Sequence, residues 1–177
     1  EQARLNLDRE VKGRSFAEVS AAAKKVWDEQ MGRIKVEGGT EEQQKTFYSC
    51  LYRTLLFPRE FYEFDKNEAP VYYSPYDGQI HNGYMYTDNG FWDTFRAVHP
   101  LFTLVYPEVS ERIMQSIVNA YSESGFMPEW ASPGHRGCMI GNNSISLLTD
   151  AWMKGIRTFD KDKALEAMLN QTRARSE

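Results

Sequence analysis

The chain has 177 residues, of which 41% are hydrophobic and 14% aromatic, enough to bury one core of ordinary size. Its 21 basic and 25 acidic residues give a net charge of -4 without any basic stripe, so we expect no nucleic-acid partner. No apolar run approaches the roughly 18 residues of a membrane span. These features predict one domain, or a fragment of a larger one.

The N-terminal segments have the pattern of short amphipathic helices. Residues 1–12 predict a short helix or the end of a linker, which Gly13 stops. Ser15 and Glu18 have the three-residue spacing of a capping box, and apolar residues recur behind them at helical spacing. The sequence therefore predicts a helix that starts near Ser15 and ends before the glycine pair at 38–39.

The next helix begins with a second capping box, formed by Thr40 and Gln43. Apolar and aromatic side chains then cover much of its circumference until Pro58 stops it. A helix that is apolar over so much of its surface is normally buried on several sides. The pattern predicts an inner helix.

A long irregular stretch follows at residues 59–90, where helical periodicity is lost and proline, glycine and tyrosine accumulate. Two short runs, Val71–Tyr73 and Tyr84–Tyr86, could pair as a β-hairpin, because Asp-Gly and Asn-Gly steps favour tight turns. A loop of this length in a compact domain is usually functional or disordered, and its tyrosines argue against disorder.

The rest of the chain is again helical, with a second irregular stretch at residues 126–143. The expected helices are residues 90–105, with a kink or break at Pro100, and residues 107–124, 144–154 and 160–170. Helices joined alternately by short turns and long loops are typical of a toroid of helical hairpins with a concave site. The fold class predicted is all-α.

The first cluster of polar and aromatic residues consists of Trp92, Asp93 and Arg96, at the start of a helix that follows a loop. An indole beside a carboxylate suits a sugar, because the ring covers C–H groups and the carboxylate accepts hydroxyl protons. The alternative is that Trp92 belongs to the core. Asp93 is then a first-turn charge that pairs with Arg96.

Two further clusters lie in the second irregular stretch. Glu129, directly before Trp130, could be an acid or a hydroxyl ligand, or a solvated loop carboxylate. His135 and Asn142 lie on a glycine-spaced loop, which suits hydroxyl recognition and equally suits capping of the helix that follows. The spacing alone leaves these alternatives open.

The histidines and cysteines do not predict a metal centre. His81, His99 and His135 are not spaced as ligands of one ion, and no Ser/His/Asp set can be argued. Cys50 and Cys138 could form one disulfide, but the favoured interpretation is two small buried thiols.

Read together, these segments resemble the family-92 glycoside hydrolases, which are calcium-dependent exo-α-mannosidases. The resemblance is weak over Glu1–Val36 and strong from about Thr40 to Asp160. Its most specific part is the string Trp-Asp-Thr-Phe-Arg-Ala-Val-His-Pro at Trp92–Pro100. The segments Met-Pro-Glu-Trp, Cys-Met-Ile-Gly and Thr-Asp-Ala-Trp-Met-Lys-Gly follow it in order.

The resemblance implies an N-terminal β-sandwich, linking helices and a catalytic (α/α)6 toroid, with the site between the domains. It implies that residues 1–38 are the linking helices and residues 39–177 the N-terminal portion of the toroid. The chain is then expected to lack the β-sandwich and the later toroid helices. The tail after Asn170 departs from the helical pattern of the family.

The function implied is that of an inverting exo-α-mannosidase, which removes terminal α-linked mannose from mannans or N-glycans, with α-1,2 as the expected linkage. The catalytic acid, the base and most ligands of the calcium ion are implied to lie outside this chain. No catalytic residue is therefore expected here, and the isolated fragment should be inactive. The location implied is periplasmic or extracellular.

The resemblance also implies roles for residues of this chain. Trp92 and Asp93 match positions that contact the terminal mannose, and Arg96 is a candidate supporter of Asp93. Glu129, His135 and Asn142 are weaker candidates for the same site. The alternative function is a non-catalytic carbohydrate-binding or structural helical module, since no acid/base pair can be defended within the chain.

Overall fold

A computed structural model describes residues 1–173 of the protein, and over these residues the chain forms eight α-helices and seven short strands. The helices are α1 (Gln2–Glu10), α2 (Phe16–Met31), α3 (Glu41–Thr54), α4 (Phe91–Thr94), α5 (Val98–Val105), α6 (Pro107–Ser124), α7 (Asn143–Met153) and α8 (Lys161–Gln171). The strands are β1 (Arg59–Glu60), β2 (Glu63–Phe64), β3 (Pro70–Tyr73), β4 (Ile80–Asn82), β5 (Tyr86–Thr87), β6 (Asn89–Gly90) and β7 (Trp130–Ala131). The helix-rich part of the predicted fold class is confirmed.

The chain divides into two compact units. The first consists of Glu1–Leu56 and Glu63–Ala69, and the second of Phe57–Tyr62 and the described residues from Pro70 onward. The division at residue 38 into linking helices and toroid stays a prediction. The predicted change of pattern after Asn170 falls mainly on residues 174–177, which lie outside the described residues.

Both capping boxes of the first unit form as predicted. The Ser15 hydroxyl accepts the Glu18 amide at 3.3 Å, and the Ser15 amide donates to the Glu18 carboxylate at 2.7 Å. Thr40 and Gln43 make the same reciprocal pair at 3.2 and 2.9 Å. Each box satisfies backbone donors that a helix start leaves free, which fixes where α2 and α3 begin.

Helix α3 is largely exposed within this chain. Leu51 is the one residue of α3 that is buried, and no residue of α2 is buried. The two helices meet through Trp27 and Tyr52, whose ring centroids are 4.7 Å apart. The broad apolar face of α3 is therefore left largely open by the described residues, and its place as an inner helix of the complete protein stays a prediction.

The core of the second unit is organised around α6, which packs against α5, α7 and α8. Pro107 occupies its first turn and Gly125 ends it with a φ of 81°, in the left-handed region that favours glycine. The buried face of α6 consists of Ser110, Ile113, Met114, Ser116, Ile117, Val118, Ala120 and Tyr121. This helix has the predicted bounds.

The helix predicted over residues 90–105 is two helices, α4 and α5, with the break before Pro100 rather than at it. Pro100 lies in the first turn of α5, where its missing N–H is not needed. In one continuous helix its ring would collide with the carbonyl of residue 96, which lies next to the break. The proline therefore starts a new helix.

The predicted hairpin forms with a different second strand. Strand β3 pairs antiparallel with β4, so that Tyr72 lies opposite His81. The turn contains Gly78, with a φ of 72°, and this turn brings the chain back before Tyr84 is reached. Tyr86 instead pairs with Glu60 through β5 and β1.

The prediction of two buried thiols is also wrong, since Cys50 and Cys138 are both exposed and free. Cys50 lies on the largely open helix α3, and Cys138 lies in the loop between β7 and α7. Among residues 1–173, no helix has both the length and the apolar character needed to cross a membrane.

Candidate functional site

The first two predicted clusters lie side by side in the structure. Strands β6 and β7 pair antiparallel, so that Gly90 is opposite Trp130. One residue further on, the Phe91 amide donates to the Glu129 carbonyl at 3.3 Å. The start of α4, which carries Trp92, therefore adjoins the Glu129–Trp130 segment, although the two are far apart in sequence.

Gly90 permits this close approach. A Cβ atom at this position would be 3.0 Å from the Trp130 ring and 2.8 Å from Oδ2 of Asp93. Both distances are too short for a side chain to be added without a shift of its neighbours. Because Gly90 has no side chain, the Asp93 carboxylate and the Trp130 indole can both lie close to its backbone.

Trp92 and Asp93 are exposed at the start of α4. The Trp92 side chain is 42% exposed, which is inconsistent with a place in the core. In the described part of the chain, the Asp93 carboxylate forms no hydrogen bond or ion pair, so its oxygens are free to accept hydrogen bonds from a ligand. Both side chains are therefore accessible to a ligand, and sugar binding by the pair stays a prediction.

Arg96 supports Trp92 rather than Asp93. Its guanidinium carbon lies 4.6 Å from the centroid of the Trp92 ring and 4.4 Å from that of Phe95. Its Nη1 donates to the Trp92 carbonyl at 2.6 Å. These contacts fix the indole by cation–π and hydrogen-bond interactions. The expected ion pair between Arg96 and Asp93 is not among these contacts.

A buried polar group that sequence reasoning missed lies behind this turn. His99 is 2% exposed, and its Nε2 is 3.0 Å from Nδ2 of Asn89. The Thr94 hydroxyl lies 3.0 Å from Oδ1 of Asn89. Burial lowers the pKa of His99 to about 4, so the ring is neutral near pH 7. The available signal was that His99 lies inside the most specific sequence string and Asn89 three residues before it.

The His135 loop folds back onto β7. His135 forms a β-bridge with Ala131, and the Arg136 amide donates to the Trp130 carbonyl at 2.9 Å. The imidazole is engaged elsewhere, with Nε2 2.8 Å from the Ser124 hydroxyl, and partial burial lowers its pKa. The loop thus supports the Glu129–Trp130 segment, while the His135 ring binds the end of α6.

Asn142 lies apart from this group, at the contact between α7 and α8. It occupies the N-cap position of α7 but makes no capping bond. Its Nδ2 donates to Oε1 of Gln171 instead. The neighbouring Ser144 is buried and donates to the Pro128 carbonyl. The structure therefore brings together Trp92, Asp93, Arg96 and the half-buried Glu129, with the His135 loop behind them, and leaves Asn142 outside.

Within residues 1–173, one group of side chains has the spacing of metal ligands. Ligand atoms of Asp77, His81 and Glu123 all lie within 4.8 Å of one another. Each already has a protein partner: His81 Nε2 lies 2.8 Å from Asp77 Oδ2, and Glu123 accepts from the Ser74 and Tyr72 hydroxyls. Calcium takes six to eight oxygen ligands. One nitrogen and two engaged carboxylates do not fit it.

Comparison with known proteins identifies the class and then the family. A family model described as the glycosyl hydrolase family 92 catalytic domain matches residues 2–177. The match places the chain among the glycoside hydrolases. It belongs to glycosyl hydrolase family 92, which confirms the resemblance found in the sequence.

The relatives include both solved structures and a curated protein. An inverting mannosidase of the family from Bacteroides thetaiotaomicron is 72% identical, with a TM-score of 0.97 over 99% of this chain and 24% of that chain. An α-mannosidase from the same bacterium, solved with mannoimidazole, is 30% identical, with a TM-score of 0.86 over 96% of this chain and 22% of that chain. An uncharacterized secreted glycosidase of Arthroderma benhamiae is 24% identical over 175 residues, which are 96% of this chain and 18% of the relative. The chain thus spans about a quarter or less of their lengths.

Proposed function

We propose that the complete protein is an inverting exo-α-mannosidase and that this chain supplies part of the wall that binds the terminal mannose. The observation that carries the proposal is the exposed Trp92 indole beside the free Asp93 carboxylate. This pair occurs in a chain 72% identical to a protein described as an inverting mannosidase. The substrates proposed are terminal α-linked mannosides of mannans or N-glycans, with α-1,2 linkages.

The chemistry assigned to this chain is binding and orientation. The two oxygens of Asp93 accept hydrogen bonds from adjacent mannose hydroxyls, and the Trp92 ring packs against the sugar. Charge-assisted hydrogen bonds of this kind contribute roughly 1.5–3 kcal/mol each. An inverting glycosidase needs an acid and a base ~6.5–9.5 Å apart, with a water between the base and the sugar. We assign both groups to the remainder of the protein.

We further propose that residues 39–177 are the N-terminal portion of an (α/α)6 toroid. Support comes from an apolar groove of about 300 Å³ between α7 and α8. Its apolar lining includes Leu148, Trp152, Phe159, Leu165 and Met168. Later helices of a toroid would cover this groove, because apolar helix faces in a closed ring pack against the next hairpin.

Calcium and an extracellular or periplasmic location are part of the same proposal. The calcium ion would bind sugar hydroxyls and help to distort the ring, with most of its ligands supplied outside this chain. The location is supported by the secreted relative from Arthroderma benhamiae. The proposed role of Asp93 depends neither on the calcium ion nor on the location of the protein.

The proposal is tested by Asp93→Ala in the complete protein, with an α-1,2-linked mannobiose as substrate. Loss of two charge-assisted hydrogen bonds should lower kcat/KM at least about a hundredfold, since ~1.4 kcal/mol is a factor of ten. Asp28→Ala, which removes an exposed carboxylate from α2, is the matched control and should leave kcat/KM unchanged.

The competing role for Asp93 is a first-turn carboxylate that stabilises α4 by about 0.3–1 kcal/mol through the helix dipole. It predicts near-normal kcat/KM in a folded Asp93→Ala variant, and that result would remove Asp93 from the site. A complete protein that binds mannose without releasing any from the mannobiose would favour the non-catalytic carbohydrate-binding module instead.

A further inference from the structure

The turn that carries Trp92 and Asp93 is held from behind by a buried polar network. Helix α4 has four residues, and its N-cap Gly90 has no side chain to cap it. So short a helix has little stability of its own, because nucleation is costly and few intrahelical hydrogen bonds form. The position of the two exposed side chains must therefore be set by contacts outside the helix.

Thr94 and Asn89 close the two ends of this turn. The Thr94 hydroxyl lies 3.0 Å from Oδ1 of Asn89 and 3.0 Å from the Gly90 carbonyl, so its proton is shared between two acceptors just before α4. Trp92 and Asp93 lie between these contacts in the chain. A shift of Asn89 would thus move the backbone that presents both side chains.

His99 in turn holds Asn89. In the amide orientation of this structure, Asn89 Nδ2 is the donor and His99 Nε2 the acceptor, which puts the ring proton on Nδ1. Nδ1 is buried and has no hydrogen-bond partner within residues 1–173. The ring packs between Phe91, at a centroid distance of 6.4 Å, and Phe102, at 5.9 Å.

His99 satisfies one buried group and leaves another without a partner. Its ring nitrogen Nε2 is the acceptor for the buried Asn89 amide, whereas its Nδ1–H has no partner within residues 1–173. An apolar side chain would remove the unpaired N–H, but it could not supply the acceptor that fixes the Asn89 amide. The geometry therefore indicates that His99 fixes the orientation of Asn89.

We propose that Asn89, Thr94 and His99 are positioning residues, which hold the start of α4 so that Trp92 and Asp93 face the mannose. This rests on the function proposed above. None of the three touches the sugar, and each acts through the geometry of the turn. Small errors in such geometry are costly, since a misplacement of about 1 Å can lower a rate a hundredfold.

The test compares His99→Leu with His99→Gln in the complete protein, on the same mannobiose. Leucine removes the acceptor of the Asn89 amide, so we expect kcat/KM to fall at least tenfold at a temperature where the variant is fully folded. Glutamine can place an amide acceptor near the position of Nε2 and should recover most of the loss. Asn89→Ala should lower kcat/KM as His99→Leu does. The control is Ser110→Ala in α6. It also removes a buried polar group without a partner, in this case a hydroxyl, and should have no effect on kcat/KM.

A double-mutant cycle with Asp93→Ala separates this proposal from the function on which it rests. If His99 acts through the Asp93 turn, adding His99→Leu to Asp93→Ala should lower kcat/KM by less than threefold further. If Asp93→Ala alone keeps normal kcat/KM, the proposed function fails. If Asp93→Ala is impaired but folded His99→Leu and Asn89→Ala keep kcat/KM within threefold of the wild type, the positioning role is overturned. A loss that follows the melting temperature and is not recovered by glutamine overturns it as well.

Discussion

At the residue scale, Asp93 and His99 are titratable side chains of the site region that lie in opposite environments. Asp93 is exposed at the start of α4, whereas His99 is 2% exposed behind it. Burial lowers the pKa of His99 from its ordinary 6.5 to about 4, because the charged imidazolium loses its hydration. The histidine is therefore held as a neutral acceptor across the neutral and mildly acidic range.

This lowered pKa predicts how stability changes with pH. Between pH 6.5 and 4 the unfolded chain binds a proton at His99 and the folded chain does not, so stability falls as the pH falls through this window. The effect is at most about 1.4 kcal/mol per pH unit. We expect the melting temperature of the complete protein to fall relative to that of His99→Gln, which cannot titrate, as the pH is lowered from 6.5 to 4. Parallel curves for the two proteins would show that His99 is not held neutral by folding.

The residue scale also shows what sequence reasoning found and missed. The exposed pair at Trp92 and Asp93 was predicted, because an indole and a carboxylate at a loop–helix junction form a local pattern. The role of His99 was missed, because His99 and its partner Asn89 come into contact only when the chain between them folds. Asn142 was placed in the site by its loop, but its side chain binds α8.

At the element scale, local signals predicted helix starts well. Both capping boxes form, and α6 runs from Pro107 to Ser124 as expected, because caps, a first-turn proline and a terminal glycine act within a few residues. Strand pairing was predicted poorly. The pairing of β6 with β7, which assembles the site, joins segments about 40 residues apart, and no local pattern specifies such a partner.

Several helices also leave apolar side chains uncovered, which predicts how the isolated chain behaves. On α7 and α8, Met153 is 75% exposed, Leu165 56% and Leu169 49%, beside the apolar groove. Open apolar surface of this kind drives association. We expect the isolated chain to self-associate, with an average mass by light scattering that rises with concentration.

Substitutions on α8 test whether its exposed apolar face causes the self-association. The pair Leu165→Lys and Leu169→Lys should reduce the association, because both charges fall on the open face of α8. The matched control is Phe16→Lys in α2, which replaces an apolar side chain that is 89% exposed and should leave the self-association unchanged. A monomer at all concentrations with a sharp thermal transition would contradict the expectation that these faces need a partner.

At the scale of the whole molecule, the chain corresponds to about a quarter of its 72% identical relative. Its described residues supply a short turn with an exposed indole and carboxylate, and the one group of side chains among them that has the spacing of metal ligands does not fit calcium. In the proposed function, this chain binds and orients the terminal mannose, and the remainder of the protein carries out the bond cleavage.

The central claim, that the complete protein is an inverting exo-α-mannosidase, is tested most directly by the anomer it releases. Proton NMR of the methyl glycoside of an α-1,2-linked mannobiose, whose cleavage gives a single free mannose, distinguishes β-mannose from α-mannose in the first minutes, before mutarotation mixes them. Because an inverting enzyme delivers water to the face opposite the leaving group, we predict that the newly formed mannose appears first as the β-anomer. Initial release of the α-anomer, or no release of mannose at all, would contradict the account.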